Sequence, residues 1–400
     1  MYLEGQATSG APDGLLEAAL QEIDATNQRP GWLVPDRWFT PHTTVRLGMG
    51  LRVGVRVAFV VLLIGMAVAA LVIAGSQRRL PPPGLAKPGL IVFTLSGDIY
   101  EANPDGTSRR QLTAGLRALR PTWSPDGTRF AFEAASGSYS SLIVMSADGR
   151  QETRIADRLV DPLDFVWSPD GRRVAVGAAT PTDPQSRILV AEADGSATTE
   201  LGGPALSGAS EPAWSPDGRE LAYQSLRFGG LWVVNADGTD NRALGSTPGS
   251  GLAFWNTQWS PDGSKLAYLA GDDGAHDVWV INADGTNARN ITQSPEDEAW
   301  PAWSPDGTKI AFPRMSSLVN EGTFVLVEPD GSHPIPLVGI TVNSNVAIWS
   351  PDGKRLFGYH WNAALQRNDA LAFFDASGHE APVAVSAADL GEATWQRLAP

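Results

Sequence analysis

Cysteine is absent from this chain of 400 residues, so no disulfide bond can hold its core together. A chain of this length can still bury a large hydrophobic core without covalent cross-links. Exported proteins often carry disulfides, yet their absence is neutral to mildly favourable for a bacterial envelope protein. Packing and hydrogen bonding must therefore supply the stability of the fold.

The chain also lacks the short motifs that mark common catalytic sites. It has no Gly-x-Ser-x-Gly nucleophile elbow, no His-Glu-x-x-His zinc motif and no Gly-x-x-x-x-Gly-Lys phosphate loop. Its five histidines, at positions 42, 276, 333, 360 and 379, are too scattered to form a metal-ligand motif. These absences predict a protein that is not an enzyme and that needs no metal ion or other cofactor.

Positive charge is scarce in most of the chain. Residues 90–400 contain 22 Lys and Arg against 38 Asp and Glu, whereas residues 1–89 contain 8 against 6. The longer region therefore has a formal charge of −16. Because the phosphates of nucleic acids require a basic face, we do not expect nucleic acid as a partner.

One turn is present in abundance. Trp-Ser-Pro-Asp-Gly occurs six times at a spacing of 44 to 47 residues, and its copies begin at Trp123, Trp167, Trp214, Trp259, Trp303 and Trp349. A second turn of the Asn-Ala-Asp-Gly type alternates with it, at 103–106, 146–149, 192–195, 235–238, 282–285, 328–331 and, in a worn form, 375–378. A period in the forties is typical of propeller blades.

Short strands separate these turns. Proline presets φ for a type I turn, and glycine accepts the left-handed conformation that follows. After the first turn, large residues alternate with alanine, as in Phe130-Ala131-Phe132, which suits a strand buried on both faces. Another strand precedes each second turn, as in Leu231 to Val234, and a short strand follows it. The residues of each repeat therefore predict three short strands.

Residues 301–312, 278–285 and 290–292 together resemble one unit of the WD40-like propeller repeat of TolB-type proteins. The resemblance covers about residues 90–398. It implies an all-β propeller of four-stranded blades, in which strand A is innermost and ends at the Trp-Ser-Pro-Asp-Gly turn, and strands B, C and D follow outwards. The repeat serves binding proteins, peptidase domains and enzymes, so it specifies the fold far better than the function.

The two ends of this repeat region predict how the ring closes. Leu90 to Phe93 resembles a B strand without its A strand, and Glu392 to Gln396 resembles an A strand with nothing after it. If they share one blade, the propeller has seven blades and no exposed edge at the junction.

The leading residues predict a membrane anchor. Residues 1–50 contain a short amphipathic helix over 13–24, with Leu15, Leu16, Ala19, Leu20 and Ile23 on one face, and are expected in the cytoplasm. Residues 51–76 form a transmembrane helix around the uncharged run 57–75, and 77–89 form a Pro-rich linker. Four arginines precede the run and three basic residues follow it, which favours an extracytoplasmic propeller at 90–398.

The recurring Asp-Gly pairs could suggest calcium, but they lack the regular carboxylate spacing of a calcium loop. Turn formation explains them better, and the repeated tryptophans are expected in the core before any ligand stack.

Variation between repeats is the better guide to a site. Both turns are expected on one face of the ring, so the B–C and D–A loops lie on the other, the loop face. Aromatic and charged residues on loops of a rigid scaffold are typical of recognition. The candidate binding residues are Arg117, Arg120, Arg227, Trp255, Asp297, Glu298, Trp300, His360 and Trp361. Solvated loops without a ligand are the alternative for each, and the central channel is the alternative site.

These observations predict a non-catalytic, membrane-anchored, extracytoplasmic propeller that binds a protein, a peptide or an envelope polysaccharide. The resemblance implies a role in cell-envelope assemblies. One alternative is a transmembrane sensor that signals through residues 1–50. A less favoured one is a propeller lyase or hydrolase, for which paired acids, or a histidine with an acid, in the central channel would be the sign.

Overall fold

The computed structural model describes residues 86–181, 183–201, 206–245, 255–272, 275–315, 322–342, 347–362, 367–378, 383–386 and 390–398. The expected helix at 13–24, the membrane span at 57–75 and linker residues 77–85 lie outside these residues. Within the described ranges, no helix has the length and apolarity needed to cross a membrane. The chain divides into two units, Met1–Arg78 and Arg79–Pro400, and every described strand belongs to the second.

The described residues form β-strands in five hydrogen-bonded sheets, which confirms the expected all-β class. The first sheet contains β1 (Lys87–Leu95), β2 (Asp98–Ala102) and β3 (Arg110–Gln111). The second contains β4 (Arg117–Trp123), β5 (Arg129–Ser136), β6 (Tyr139–Ser146), β7 (Glu152–Trp167), β8 (Arg173–Thr180), β9 (Asp183–Glu192) and β10 (Thr198–Glu200).

The third and fourth sheets each have the four strands expected of one blade. They contain β11 (Ala209–Trp214), β12 (Glu220–Ser225), β13 (Leu231–Asn235) and β14 (Arg242–Gly245), then β15 (Trp255–Trp259), β16 (Lys265–Asp272), β17 (Ala275–Asn282) and β18 (Arg289–Asn290). Every neighbouring pair is antiparallel, in chain order.

The fifth sheet is the largest. It contains β19 (Asp297–Glu298), β20 (Ala302–Trp303), β21 (Ile310–Met315), β22 (Gly322–Val327), β23 (Ile335–Val342), β24 (Ile348–Trp349), β25 (Arg355–Asn362), β26 (Arg367–Asp375) and β27 (Val383–Ser386). The last strand of the chain, β28 (Leu390–Leu398), returns to the first sheet and pairs with β1.

Two sheets are larger than single repeats predict. The 16-residue strand β7 pairs with β6 through its first half and with β8 through its second half, so one strand is both outermost in one repeat and innermost in the next. In the fifth sheet, a single pair, Val342 of β23 with His360 of β25, joins two repeats. At β7 the chain passes between repeats without ending its strand, which a turn-based reading of the sequence could not detect.

The first and last strands share one sheet, as expected. Ile91 pairs with Trp395 and Phe93 with Ala393, and the strand begins at Lys87, three residues before the expected start. Gln396 fixes this junction, because its Oε1 accepts from the Leu90 amide at 2.9 Å and its Nε2 donates to the Gly127 carbonyl at 2.6 Å. The buried Trp395 ring also packs against Phe357 of the fifth sheet.

The two turn types lie on the same face, as expected, and contact each other. In the repeat of β4 to β6, the Ala147 amide in the second turn donates to the Thr128 carbonyl beside the first, at 2.9 Å. The same bond recurs from Ala193 to Arg172, from Ala236 to Arg219, from Ala283 to Ser264 and from Ala376 to Lys354. We call this side the turn face.

Four of the six repeated tryptophans join neighbouring repeats through their indole nitrogens, each of which donates to a carbonyl in the innermost strand of the preceding repeat. The bonds are Trp167 to Thr122, Trp259 to Ala213, Trp303 to Gln258 and Trp349 to Ala302, at 2.9 to 3.2 Å. Five of the six side chains, and that of Trp395, are under 10% exposed. The expected core role of the tryptophans is confirmed.

Candidate functional site

Several innermost strands are interrupted three residues before the tryptophan that ends them, although Asp164 of β7 stays in the ladder and pairs with Gly177. Pairing registers shift at this point in β4 between Leu119 and Thr122, in β11 between Ser210 and Ala213, and in β15 between Trp255 and Gln258. β28 shifts its register on β1 between Phe93 and Leu95, opposite Glu392. Such bulges leave one residue out of the ladder and redirect its side chain.

The residues at this position form a set that we call the inner ring. Its described members are Arg120, Asp164, Glu211, Asn256, Trp300 and Glu392. Innermost strands surround the central channel of a propeller, so the inner ring lies at that channel. It lies at the start of strand A, and therefore at the end of the channel that opens on the loop face.

Local sequence explains the bulges. Proline follows Arg120, Glu211 and Trp300, and proline cannot donate a ladder hydrogen bond. Arg120, Glu211 and Asn256 have φ values of 55°, 51° and 54°. The left-handed conformation is unfavourable for such side chains, and strained positions of this kind cluster at functional sites.

Contacts between repeats join the inner ring. Arg120 Nη1 lies 3.3 Å from Asp164 Oδ1, and Arg120 Nε lies 3.6 Å from Glu392 Oε1. Asn256 N–H donates to Glu211 Oε2 at 2.5 Å. One guanidinium therefore bridges carboxylates from two other strands, while the third carboxylate accepts a backbone N–H.

Negative charge exceeds positive charge in this ring, and the pKa of Glu211 is raised. Burial is the main cause, the N–H of Asn256 opposes it, and the nearby Asp164 carboxylate adds to it, so that the pKa of Glu211 is raised to about 7. A positively charged group placed beside it would favour the ionised form.

Glu392 has a raised pKa for similar reasons. The protein wall around Glu392 displaces water, and the carboxylates of Glu133 and Asp164 add repulsion, whereas Arg120 lowers this pKa. Tyr359 lies next to this group, and burial with the charge of Glu392 raises its pKa above the usual range. Perturbed acids that are grouped in a cleft are typical of functional sites.

An aromatic residue completes the inner ring. Trp300 lies between β19 and β20, and its side chain is 37% exposed, whereas the turn tryptophans are buried. Leu119, beside Arg120, is also exposed. Exposed tryptophan at a concave site is a common recognition element.

The structure places the sequence-predicted residues unevenly. Arg120 and Trp300 belong to the inner ring, and Arg117 begins the same strand as Arg120 with its side chain exposed. Arg227 is exposed in the loop between β12 and β13. The side chains of Trp255 and Trp361 lie outside the described residues, so their role stays a prediction.

Most of the residues predicted on loops lie in strands instead: Arg117 and Arg120 in β4, Trp255 in β15, Asp297 and Glu298 in β19, and His360 and Trp361 in β25. Asp297 and Glu298 form β19, because they pair with Met315 and Arg314 of β21. Glu298 is 2% exposed, and it accepts from Arg314 Nη2 at 2.9 Å, so this carboxylate is a core partner and not a surface contact.

Asp297 lies 2.9 Å from Nδ1 of His276. His360 pairs with Ala370 inside β25, where the sequence predicted a loop. The strands extend further than predicted because their pairing partners, and not local turn residues, decide where they end.

Sequence reasoning missed Asp164, Glu211, Asn256 and Glu392. Their signal was present, because all four stand three residues before a tryptophan of the repeat. At this position the repeats carry residues of different charge and size, although the next residue along the chain is often proline. This variable position lies inside strand A, so a prediction based on the loops alone does not include it.

The Asp-Gly pairs are turn residues, as expected. Asp237 Oδ1 accepts from the Thr239 amide at 2.9 Å and from its hydroxyl at 2.6 Å, and Asp284 does the same with Thr286. The turn carboxylates therefore already have partners within their own turns. In the part of the chain that the structure describes, no group of three or more His, Asp or Glu side chains is arranged to hold a metal ion.

The strand order and the redirected inner ring define an all-β propeller with a polar channel opening. Residues 162–352 match the PD40 family model, described as the TolB beta propeller domain. Over 144 residues, the chain is 31% identical to the protein TolB homolog of Chlorobium luteolum. That match covers 35% of this chain and 31%, or about a third, of the relative. This chain therefore contains a TolB-like β-propeller.

Solved structures agree on the fold. TolB from Acinetobacter baumannii aligns with a TM-score of 0.50 at 15% identity, covering 77% of this chain and 66% of that one. A structure titled oligogalacturonate lyase in complex with manganese aligns with a TM-score of 0.57 at 14% identity, covering 76% and 85%. At such identities the likeness concerns the fold alone.

Proposed function

We propose that this protein is a non-catalytic binding protein whose inner ring takes a basic segment of a protein partner. The observation that carries the proposal is the excess of carboxylates over cations in the ring: Asp164 and Glu392 lie beside the one arginine, Arg120, and Glu211 lies close enough to Asp164 for that carboxylate to raise its pKa. A lysine or arginine side chain would compensate this charge and would stabilise the ionised form of Glu211.

The shape of the site also supports a peptide. Most of its members stand at bulges of paired strands, so their positions are fixed before binding. Trp300 provides an exposed aromatic face, which can pack against an aliphatic stem or stack on a cation. By analogy, the TolB-like fold also favours a protein partner. An envelope polysaccharide is the alternative ligand.

The test uses an array of random dodecapeptides probed with the full-length chain in detergent. We expect retained peptides to be enriched in Lys and Arg, and the Asp164→Asn/Glu211→Gln variant to lose them. Asp237→Asn/Asp284→Asn is the matched control, since it removes the same charge from the turn face. If the control loses binding equally, or if basic peptides are not enriched, the proposal fails.

We also propose that the propeller has seven blades. Supporting this count, seven hydrophobic clusters each join one group of four strands to the next. One joins Val92 of the first sheet to Trp123 and Phe130 of the second, and another joins Phe357 of the fifth sheet to Trp395. Dividing the chain at β7 and at the β23–β25 contact gives seven such groups.

The cellular placement that we propose is a single-pass anchor at 57–75, a cytoplasmic leading end and an extracytoplasmic propeller. The uncharged run and the arginines before it support this topology. Because the chain has no cysteine, single cysteines can report it. Ser138→Cys should react with an impermeant thiol reagent on cells whose outer membrane, if present, is permeabilised, and Gly5→Cys should not. The reverse labelling would contradict the topology.

Catalysis is the second candidate, and one specific observation favours it. Paired acids in the channel are the expected sign of a lyase or hydrolase, and Asp164 lies close enough to Glu211 to raise its pKa. A carboxyl group with a pKa raised to about 7 suits general acid–base catalysis. Turnover of a panel of uronic-acid and neutral polysaccharides, abolished in Glu211→Gln, would favour this candidate over binding alone.

A further inference from the structure

A second feature of the loop face is an exposed apolar loop between β12 and β13. Residues 226–230, which we call the 226–230 tip, read Leu-Arg-Phe-Gly-Gly. Leu226 is 57% exposed and Phe228 is 53% exposed. Large apolar side chains held in water are unfavourable, so a fixed exposed pair often marks an interaction site.

The tip has a defined conformation. The Leu226 amide donates to the Gly208 carbonyl at 2.8 Å, and the Phe228 amide donates to the hydroxyl of the buried Ser225 at 3.2 Å. Trp232 lies beneath Phe228, with ring centroids 5.7 Å apart, and its indole N–H donates to the Gly229 carbonyl at 3.0 Å. Because the tip is already ordered, binding through it would cost little conformational entropy.

The charge on this tip also needs a partner. The Arg227 guanidinium lies over the Phe228 ring, 5.3 Å from its centroid, and Arg227 is exposed. Arg227 makes no ion pair with any residue that the structure describes, although residues 90–400 are strongly acidic. A carboxylate on another molecule would pair this charge.

We propose that the 226–230 tip inserts into an apolar pocket of a protein partner that carries a carboxylate at its rim. The convex apolar pair fits a concave pocket, and an arginine stacked on an aromatic ring is the composition of interface hot spots. This surface is separate from the inner ring, and the proposal does not depend on peptide binding there.

Two other binding partners of the 226–230 tip, a membrane surface and a second copy of this chain, fit the observations less well. An anionic membrane surface would repel a propeller region of charge −16, and two apolar side chains offer little area for insertion. Symmetric contact between the tips of two copies would bring two unpaired arginines together. Both occupants can be tested in the same experiment.

The test starts with p-benzoylphenylalanine in place of Phe228 in the full-length chain in its own membranes, and the cross-linked protein is identified by mass spectrometry. The purified partner is then titrated with wild type, Leu226→Ser/Phe228→Ser and Arg227→Glu. We expect each variant to raise Kd about tenfold or more, as expected for hot-spot residues. Val338→Ser, which alters another exposed apolar side chain, is the matched control and should leave Kd unchanged.

Four outcomes would overturn the proposal. They are no cross-linked protein at Phe228, an unchanged Kd in both tip variants, concentration-dependent dimerisation that the variants abolish, and sedimentation with phosphatidylglycerol vesicles that the variants abolish. A loss of basic-peptide binding in inner-ring variants would leave this result unaffected, so failure of either proposal can be told from failure of the other.

Discussion

The turn face and the inner ring both carry carboxylates, yet the pKa values of these carboxylates are shifted in opposite directions. On the turn face, hydrogen bonds from Thr239 lower the pKa of Asp237, and those from Thr286 lower that of Asp284. In the inner ring, burial and neighbouring acids raise the pKa of Glu211 to about 7. The charged turn-face carboxylates stabilise the fold through their hydrogen bonds. The inner-ring carboxylates carry a charge that the fold disfavours and that a ligand can stabilise.

Both regions depend on the closing strand β28, so removing it should have the largest effect. Deletion of residues 391–400 removes Trp395 and Gln396, and the loss of a buried tryptophan alone costs about 3–5 kcal/mol. Typical domains have only about 5–15 kcal/mol in total, so we expect a largely unfolded, protease-sensitive chain. Deletion of residues 399–400 is the control. Near-native melting of the longer deletion would contradict closure by β28.

Substitutions at two glycines would compare how tightly the backbone is packed on the turn face and on the loop face. Gly127 on the turn face and Gly137 on the loop face have φ of 67° and 64°, but a Cβ at Gly127 would lie 2.3 Å from the Arg397 carbonyl oxygen, whereas Gly137 has open space. Gly137→Ala should cost about 1 kcal/mol from strain, and Gly127→Ala at least about 2 kcal/mol. If urea unfolding showed equal losses in the free energy of unfolding for both variants, the turn face would not be in close contact with β28.

Glu211→Gln should stabilise the protein at high pH. Folding raises the pKa of Glu211 from its ordinary 4.5 to about 7, so the unfolded state releases its proton first as pH rises. The destabilisation grows between these two pH values and is fully present above about 7. We therefore expect a gain on the order of 1–3 kcal/mol at pH 8 and little at pH 4. A gain that is independent of pH would contradict the raised pKa.

The smallest effect on stability is expected at Trp300, which is exposed in the inner ring. Trp300→Ala should change the free energy of unfolding by about 0.5 kcal/mol or less, as for other surface positions. It should nevertheless weaken capture of basic peptides, because it removes the aromatic face. Trp303→Ala, three residues further on but buried, should do the reverse. If Trp300→Ala left peptide capture unchanged, the aromatic residue would have no part in recognition.

Sequence alone determined the repeat, the turns and the strand order. Pro-Asp-Gly and Ala-Asp-Gly turns encode their conformation locally, and alternation of large residues with alanine encodes strands buried on both faces. The pairing of β1 with β28 was also predictable, because one end lacked an A strand that the other supplied. The membrane segment, by contrast, remains a prediction from residues 57–75 alone.

Tertiary structure alone decided where the functional chemistry lies. Glu298, predicted on a loop, is buried against Arg314 because β19 pairs with β21. Glu211 and Asp164 stand 47 residues apart in the sequence but interact because the innermost strands of neighbouring repeats, β7 and β11, lie close together. Turns are local and can be read from a few residues, whereas burial, pKa and the meeting of distant charges depend on how the strands of different repeats are brought together.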